Sequence, residues 1–317
     1  MSSKRSFSKR RVCLAAVLLC LLPWLVPVSA EDRPKRGDKF PAELVKFVPH
    51  GKEPVFAAQK GKWDAKIRER GWVLREGGTW KLWYTGYDGS RDGLRMLGYA
   101  TSKDGIKWTR HPGNPLYKEH WVEDMMIVKD GGKYWMFAEG KDDLAHLLVS
   151  DDGIAWKRIG LLDVRKKNGQ PIPRGPYGTP TAWKENGVWY LFYERNDRGI
   201  WLATSKDMKV WKHVQDEPVL SPGPGEYDRD LVALNQIIKY KGRYYAYYHG
   251  SAKTGSKAKL WSTNVATSTD LLHWEKYPGN PLQPIEQNKS SGILVHDGEK
   301  FRLYTMHPAV SLHVPAR

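Results

Sequence analysis

The chain has 317 residues, 40% hydrophobic and 27% charged, with a formal net charge of +16 and two cysteines. This composition excludes a multi-span membrane protein, a collagen, a disordered tail and a small disulfide-stapled scaffold. The aromatic load (Trp 15, Tyr 16, Phe 7) supplies a large core and surfaces able to stack on flat ligands.

Residues 1–30 read as an export signal. Lys4, Arg5, Lys9, Arg10 and Arg11 precede an apolar run from Val12 to about Leu22. Val28-Ser29-Ala30 then offers small residues at cleavage spacing before Glu31. The alternative is an uncleaved anchor. Cys13 and Cys20 both lie in this segment, so the remaining 287 residues contain no thiol and must gain stability from packing. Without the segment, Lys plus Arg falls from 51 to 46 while Asp plus Glu stays at 35, leaving a charge of +11. A basic exported chain favours anionic partners such as uronic or sulfated polysaccharides, or is simply basic. No basic run or motif points to nucleic acid. Residues 31–41 read as a linker and 42–317 as one repeating domain.

The repeat is visible by eye. A turn glycine, an aromatic and a strand-like run recur as Gly78-Thr-Trp80, Gly132-Lys-Tyr134, Gly187-Val-Trp189, Gly242-Arg-Tyr244 and Gly298-Glu-Lys-Phe301. The anchoring aromatics are 54, 55, 55 and 57 residues apart. In phase with them come four tips: Ser102-Lys-Asp104, Ser150-Asp-Asp152, Ser205-Lys-Asp207 and Ser268-Thr-Asp270, each followed by a Trp four residues after the Asp. The Asp folds onto nearby backbone N–H groups, which predicts hairpin tips. Eight residues after Trp108, Trp211 and Trp274 stand Leu116, Val219 and Leu282, and the same tail occurs alone at Phe47 and Val55. Residues 42–56 therefore read as a lone outer strand, and the last repeat lacks one. These features predict an all-β, five-bladed β-propeller closed by an N-terminal outer strand in the last blade. A linear solenoid would need no borrowed strand.

Departures from the repeat mark candidate function. Five residues after each anchoring aromatic stand Thr85, Glu139, Glu194, His249 and Met306, with His307 next. At the start of the inner strands, Trp63-Asp64 and Tyr227-Asp228 stand sixteen residues before their aromatics, and Glu123-Asp124 stands ten before Tyr134. The third blade offers Tyr177-Gly178-Thr179-Pro180. Asp64, Asp124 and Glu194 would then meet at one mouth of the axis. One protonated carboxyl can give a proton to a leaving oxygen while an ionised one activates water or attacks the anomeric carbon. Trp63, Trp72, Trp121, Tyr177 and Trp183 could stack on sugar faces. Each residue has a structural alternative: Asp64 and Asp228 closing turns, Glu139 and Glu194 paired with Arg95, Arg195 or Arg198, and His249 and His307 as satisfied rim histidines.

The run Trp63-Asp64, Trp80-Lys-Leu-Trp-Tyr-Thr-Gly86, Leu97-Gly-Tyr-Ala-Thr-Ser102-Lys-Asp-Gly-Ile-Lys-Trp108 and Asn114-Pro-Leu116 resembles the five-bladed propeller glycoside hydrolases, the grouping of families 43, 32, 62, 68, 117 and 130. The resemblance covers about residues 42–307. It implies a first-blade Asp as nucleophile or base, which matches Asp64 by blade, and a supporting second-blade Asp, which matches Asp124. Family 43 carries its acid Glu two residues before the proline of the third inner strand, where this chain has Gly178. Glu194, Glu139 or a histidine would then supply the acid, or the site is no hydrolase of that type.

The expectation is an exported, secreted or periplasmic glycosidase acting on a poly- or oligosaccharide. Asp64, Asp124 and Glu194 are the catalytic candidates, with Trp63, Trp121, Glu123, Glu139, Tyr177, Asp228, His249 and His307 at the substrate. A non-catalytic carbohydrate-binding propeller is the alternative. No zinc-type ligand spacing is present and no cofactor is expected, although relatives of this fold hold an ion on the axis. A carbohydrate is the expected partner, the chain a monomer with no stable membrane insertion after cleavage.

Overall fold

The computed structural model describes residues 39–252 and 260–316. Residues 1–30, expected to be an export signal, and most of the expected linker 31–41 lie outside the described residues. Five antiparallel sheets follow one another along the chain, each starting from its innermost strand: Lys66–Glu76, Glu123–Asp130, Gly178–Glu185, Leu231–Tyr240 and Ile293–His296. The turn-aromatic repeats form the second strand of each blade. Their buried aromatics include Trp80, Trp83, Tyr134, Phe137, Trp189, Tyr247 and Tyr304. These rings pack between blades together with buried aliphatic side chains to form the core.

The ring closes by pairing Phe47–Pro49 antiparallel with Val310–Pro315 in the fifth blade. The lone outer strand is shorter than residues 42–56. Ala42–Val45 is a helical turn, and only Phe47–Pro49 is regular strand. The next residues follow the same edge loosely, with His50 N–H bonded to the Leu312 carbonyl at 2.9 Å and Val55 N–H to that of Val310 at 2.8 Å. Pro49 and Pro54 lack donors, so this stretch cannot continue a regular ladder. The third blade gains a fifth strand, Asp163–Arg165, lying parallel to Val210–His213.

The hairpin tips take the predicted form. Asp104 accepts from the N–H groups of Ile106 and Lys107, both at 2.8 Å, and Asp152, Asp207 and Asp270 repeat the turn. Each tip rests on the preceding blade. The Gly105 carbonyl accepts from Tyr304 Oη at 3.1 Å, and that of Gly153 from Trp83 Nε1 at 2.8 Å. Gly105 has φ +73°, and a Cβ there would lie 2.5 Å from Tyr304 Oη, so both conformation and space require glycine.

Four blades meet on one buried arginine. Arg70, fully enclosed, donates from Nη1 to Thr181 Oγ1 at 2.7 Å, to the Leu234 carbonyl at 2.8 Å and to that of Asn235 at 3.0 Å. Its Nη2 donates to the Pro180 carbonyl at 2.8 Å and to that of Asp124. The guanidinium consumes the inward carbonyls that an axial cation would need and places its own positive charge there, so these residues do not fit an axial ion. Burial lowers its pKa to about 10, which leaves it charged at neutral pH.

A chain beginning at Ala57 would expose Val310–Pro315 as an open edge. We expect such a truncation to self-associate on size-exclusion chromatography and to melt roughly 5 °C or more below the full chain. A monomeric truncation with unchanged melting would show that ring closure contributes little.

Candidate active site

The inner strands do not enter the axis as regular ladders. Pairing with the second strand shifts between Arg68 and Trp72, Glu123 and Met126, Gly178 and Thr181, and Leu234 and Gln236. At these bulges Glu69, Asp124 and Thr179 take φ of +52°, +44° and +43°, and Ser291 in the fifth blade takes +55°. A bulge re-aims a side chain that a regular strand would hold against the next blade. Glu69 and Asp124 thereby reach the same axial pocket as Glu139 and Glu194, which sit at the ends of the returning strands.

The pocket holds about 280 Å³. Six carboxyls line it: Glu69, Asp124, Glu139, Asp143, Glu194 and Asp197. Arg68 and His249 are the basic groups in its wall, and Trp261 is the large aromatic. Arg68 is already ion-paired, its Nε 3.0 Å from Glu69 and 3.1 Å from Glu123. His249 Nδ1 lies 2.9 Å from Asn235 Oδ1, and its ring meets Trp261 edge-on at 4.9 Å.

Gly178 explains how two glutamates fit. A Cβ at this position would lie 2.1 Å from Glu139 Oε2 and 2.7 Å from Glu194 Oε1. The room where the family 43 pattern carries its acid is thus filled by side chains from the second and third blades. Glu139 Oε2 accepts from Thr179 N–H at 2.8 Å. Glu194 accepts from Gly178 N–H at 3.1 Å and also from Asp197 N–H. Neither glutamate pairs with Arg95 or Arg195. Arg95 stacks on Trp121 with its carbon 4.2 Å from the ring centroid, and Arg195 holds the carbonyls of Pro173 and Pro176.

Crowded, desolvated carboxyls resist ionisation. Burial, reinforced by the Asp124 charge, raises Glu69 to about 8. Burial and the neighbouring Asp197 raise Glu194 to about 8. Burial raises Glu123 to about 7, and Glu139 goes well above the usual range through burial and Asp124. Asp124 is also raised by burial, but Arg70 opposes this through its charge and an N–H bond of 3.3 Å to Oδ1.

The structure brings together Asp124, Glu139, Glu194 and His249 from the sequence-derived candidates. Glu123 stands behind them, paired with Arg68. His307 reaches Glu69, with Nδ1 3.6 Å from Oε2. Asp64 does not reach the pocket. It is fully buried elsewhere, accepting from Tyr84 Oη at 3.1 Å and Arg110 Nε at 2.8 Å. Asp228 repeats that role, with Tyr248 Oη at 2.9 Å and Lys276 Nζ at 2.5 Å. Trp63 stacks on Tyr84 at 5.8 Å, and Tyr177 donates its hydroxyl to the Leu162 carbonyl at 3.1 Å. Trp63, Trp121, Tyr177 and Asp228 are not among the pocket-lining residues, nor are Trp72 and Trp183. Sequence reasoning missed Arg68, Glu69, Asp143, Asn196, Asp197 and Trp261. The shared sixteen-residue spacing of Asp64 and Asp228 marks a shared structural role. Counting ten or eleven residues back from the first, second, third and fifth aromatics instead finds Glu69, Asp124, Thr179 and Ser291, and ten back from the fourth finds Leu234.

No family model matches the chain. It is 31% identical over 171 residues to a 1,2-beta-oligomannan phosphorylase of Thermoanaerobacter sp. (strain X514), a stretch covering 50% of this chain and 54% of that protein. The chain thus spans about half the length of the curated relatives it matches. A glycosyl hydrolase from Bacteroides ovatus superposes with TM-score 0.66 at 18% identity, over 90% of this chain and 94% of that one. Beta-1,2-mannobiose phosphorylase from Listeria innocua superposes with TM-score 0.61 at 15% identity, over 84% and 95%. The fold is therefore that of the five-bladed propeller glycoside hydrolases and phosphorylases.

Two substitutions separate structural from site carboxyls. Asp64→Asn leaves Arg110 without its counter-charge and should cost about 2–3 kcal/mol, a fall in melting temperature of roughly 5 °C or more. Glu194→Gln should do the opposite at pH 8. A carboxyl raised from 4.5 to about 8 lets the folded state bind more protons than the unfolded state between those values, so stability falls as pH rises through that window. Removing the group removes that loss. Thermal melts at pH 5 and pH 8 check both, and a melting temperature for Glu194→Gln below wild type at pH 8 would contradict the assignment.

Proposed function

We propose that the protein is an exported glycoside hydrolase acting on an oligo- or polysaccharide, with its chemistry in the acidic pocket on the propeller axis. The supporting observation is the convergence of Asp124, Glu139 and Glu194 on one pocket, with both glutamates against Gly178 and Asp124 bonded to the backbone N–H of Arg70. Asp124 touches Arg70 and is intrinsically more acidic than a glutamate, so it is the first of the set to ionise. It serves as base or nucleophile. Glu194, held near 8, keeps its proton at neutral pH and gives it to the departing glycosidic oxygen. Burial and the neighbouring carboxyls of Asp197 and Asp143 sustain its raised pKa, and Glu139 lies beside it at Gly178. Trp261 offers the apolar face against which a sugar ring can stack.

Electrostatics favours water over phosphate as the acceptor. A phosphorylase must bind a dianion beside the anomeric carbon. Here six carboxyls meet one arginine already paired with two glutamates. The same argument directs a neutral sugar unit to the chemistry and turns the expectation of an anionic substrate away from this pocket. Because two related proteins are phosphorylases of beta-1,2-linked mannosides, such oligomannosides are the first substrates to test.

Sugar release is expected without phosphate, and added phosphate should neither accelerate it nor yield a sugar 1-phosphate. Asp124→Asn and Glu194→Gln should each lower kcat/KM by about 10²-fold or more. The acid works only when protonated, so kcat/KM should hold below and fall above a pKa of about 8. Glu194→Gln should abolish that alkaline limb and retain most turnover on aryl glycosides whose leaving group needs no proton. Phosphate-dependent product formation would overturn the hydrolytic reading.

A further inference from the structure

Two blades bury the same polar trio, and a third forms a counterpart whose acid is exposed. In the first, Tyr84 and Arg110 hold Asp64, and in the fourth, Tyr248 and Lys276 hold Asp228. In the third, Tyr193 Oη lies 2.5 Å from His213 Nε2, whose Nδ1 is 2.9 Å from Asp216 Oδ1. The positions correspond by register. Each tyrosine stands four residues after its anchoring aromatic. Arg110, His213 and Lys276 pair across the outer hairpin with Ala100, Ala203 and Ala266. Gly86 and Gly250 make room for the acids, since a Cβ there would lie 2.8 Å and 2.6 Å from the Cβ of Asp64 and Asp228.

The second blade keeps the base and the glycine and loses the other two. Arg158 occupies the same register position, opposite Leu148, and Gly140 corresponds to Gly86 and Gly250. Ala138 stands where the tyrosines stand, and among the described residues no carboxylate pairs with Arg158. A cavity of about 230 Å³ remains, walled by Gly140, His146, Arg158, His120, Trp121 and Lys141, with no acid in its lining. His146 is 1% exposed. Its Nδ1 accepts from Arg158 Nε at 3.1 Å, so Nε2 carries the proton, and that buried N–H has no partner. Burial, then the Arg158 charge, hold the imidazole neutral with a pKa of about 3, so it gives the arginine an acceptor but no counter-charge.

We propose that this cavity binds the carboxylate of an acidic sugar, a uronate unit, which takes the place of the aspartate that the first and fourth blades supply themselves. A guanidinium, an orphan imidazole N–H and a neighbouring ammonium match a carboxylate in charge and donor count. The half-buried indole of Trp121 in the wall suits a sugar ring rather than a small free acid. The turn at Lys141–Asp143 joins the cavity to the catalytic pocket, because Lys141 faces the first and Asp143 the second. A glycan could place a neutral unit at the carboxyls and an acidic unit here. Only this last step rests on the glycosidase reading, since binding can be measured without turnover.

Titration calorimetry of the full chain with glucuronate, glucose and acetate tests the proposal. Glucuronate should bind saturably and glucose should not. Arg158→Gln should weaken glucuronate at least about tenfold, whereas Arg158→Lys, the type of base used in the fourth blade, should stay within about threefold. Glu194→Gln should leave this binding unchanged, which separates failure here from failure of the catalytic assignment. Equal binding of glucose, or full affinity in folded Arg158→Gln, would overturn the site. Acetate binding as tightly as glucuronate would overturn the sugar as its ligand. A measurement on the wild type needs no variant: the imidazole resonances of His146 should shift on saturation with glucuronate, and unmoved resonances overturn the proposal.

Discussion

A single guanidinium on the propeller axis organises this protein. The second, third and fourth inner strands aim carbonyl oxygens at the axis, and such a cluster of acceptors needs a donor-rich filling. Arg70 supplies it, bonding to groups from the second, third and fourth blades while its own backbone belongs to the first. Burying a lone charge is costly, and here the cost is offset by at least five hydrogen bonds and by the acids above it. Asp124 in turn depends on Arg70, whose charge and backbone N–H oppose the rise that burial gives its pKa.

Internal symmetry separates the carboxyls by role. Asp64 and Asp228 recur at one register position with one set of partners, a tyrosine hydroxyl and a long-chain cation, as recurrent architecture requires. Glu69, Asp124, Glu139 and Glu194 occupy positions whose counterparts in other blades are Thr179, Ser291, Thr85 and Met306. Residues that break the repeat are free to differ because their side chains point into the pocket rather than into a blade interface. Their raised pKa values show that the assembly tolerates a local electrostatic penalty, typical of sites arranged for proton transfer.

The same symmetry applies to a place that lacks a residue. The second blade retains Arg158 and Gly140 but has neither the tyrosine nor the aspartate of the first and fourth blades, and the result is a cavity rather than a collapsed interface. Acid-rich and base-rich recesses then stand on either side of one short turn. A substrate recognised by both would carry neutral and acidic units in a fixed order, which joins the basic character of the whole chain to a pocket that is itself acidic.

Periodicity in the chain determined the fold. Aromatics every 54 to 57 residues fix the blade number, and the Phe47 tail with no hairpin of its own fixes how the ring closes. Such features are local, repeated and dominated by burial, so they survive in one dimension. Asp124, Glu139, Glu194 and His249 were legible for the same reason, as exceptions at fixed phase. Only the tertiary structure removed Asp64 from the pocket and brought in Glu69 and Arg70. The first blade has one extra residue in its bulge, which shifts the phase by one. Whether a carboxyl meets Arg110 or Arg70 depends on partners 46 and 54 residues away in the pairs they form. A spacing along the chain says where a side chain leaves the backbone. Which charge it meets there is decided only when the blades close around the axis.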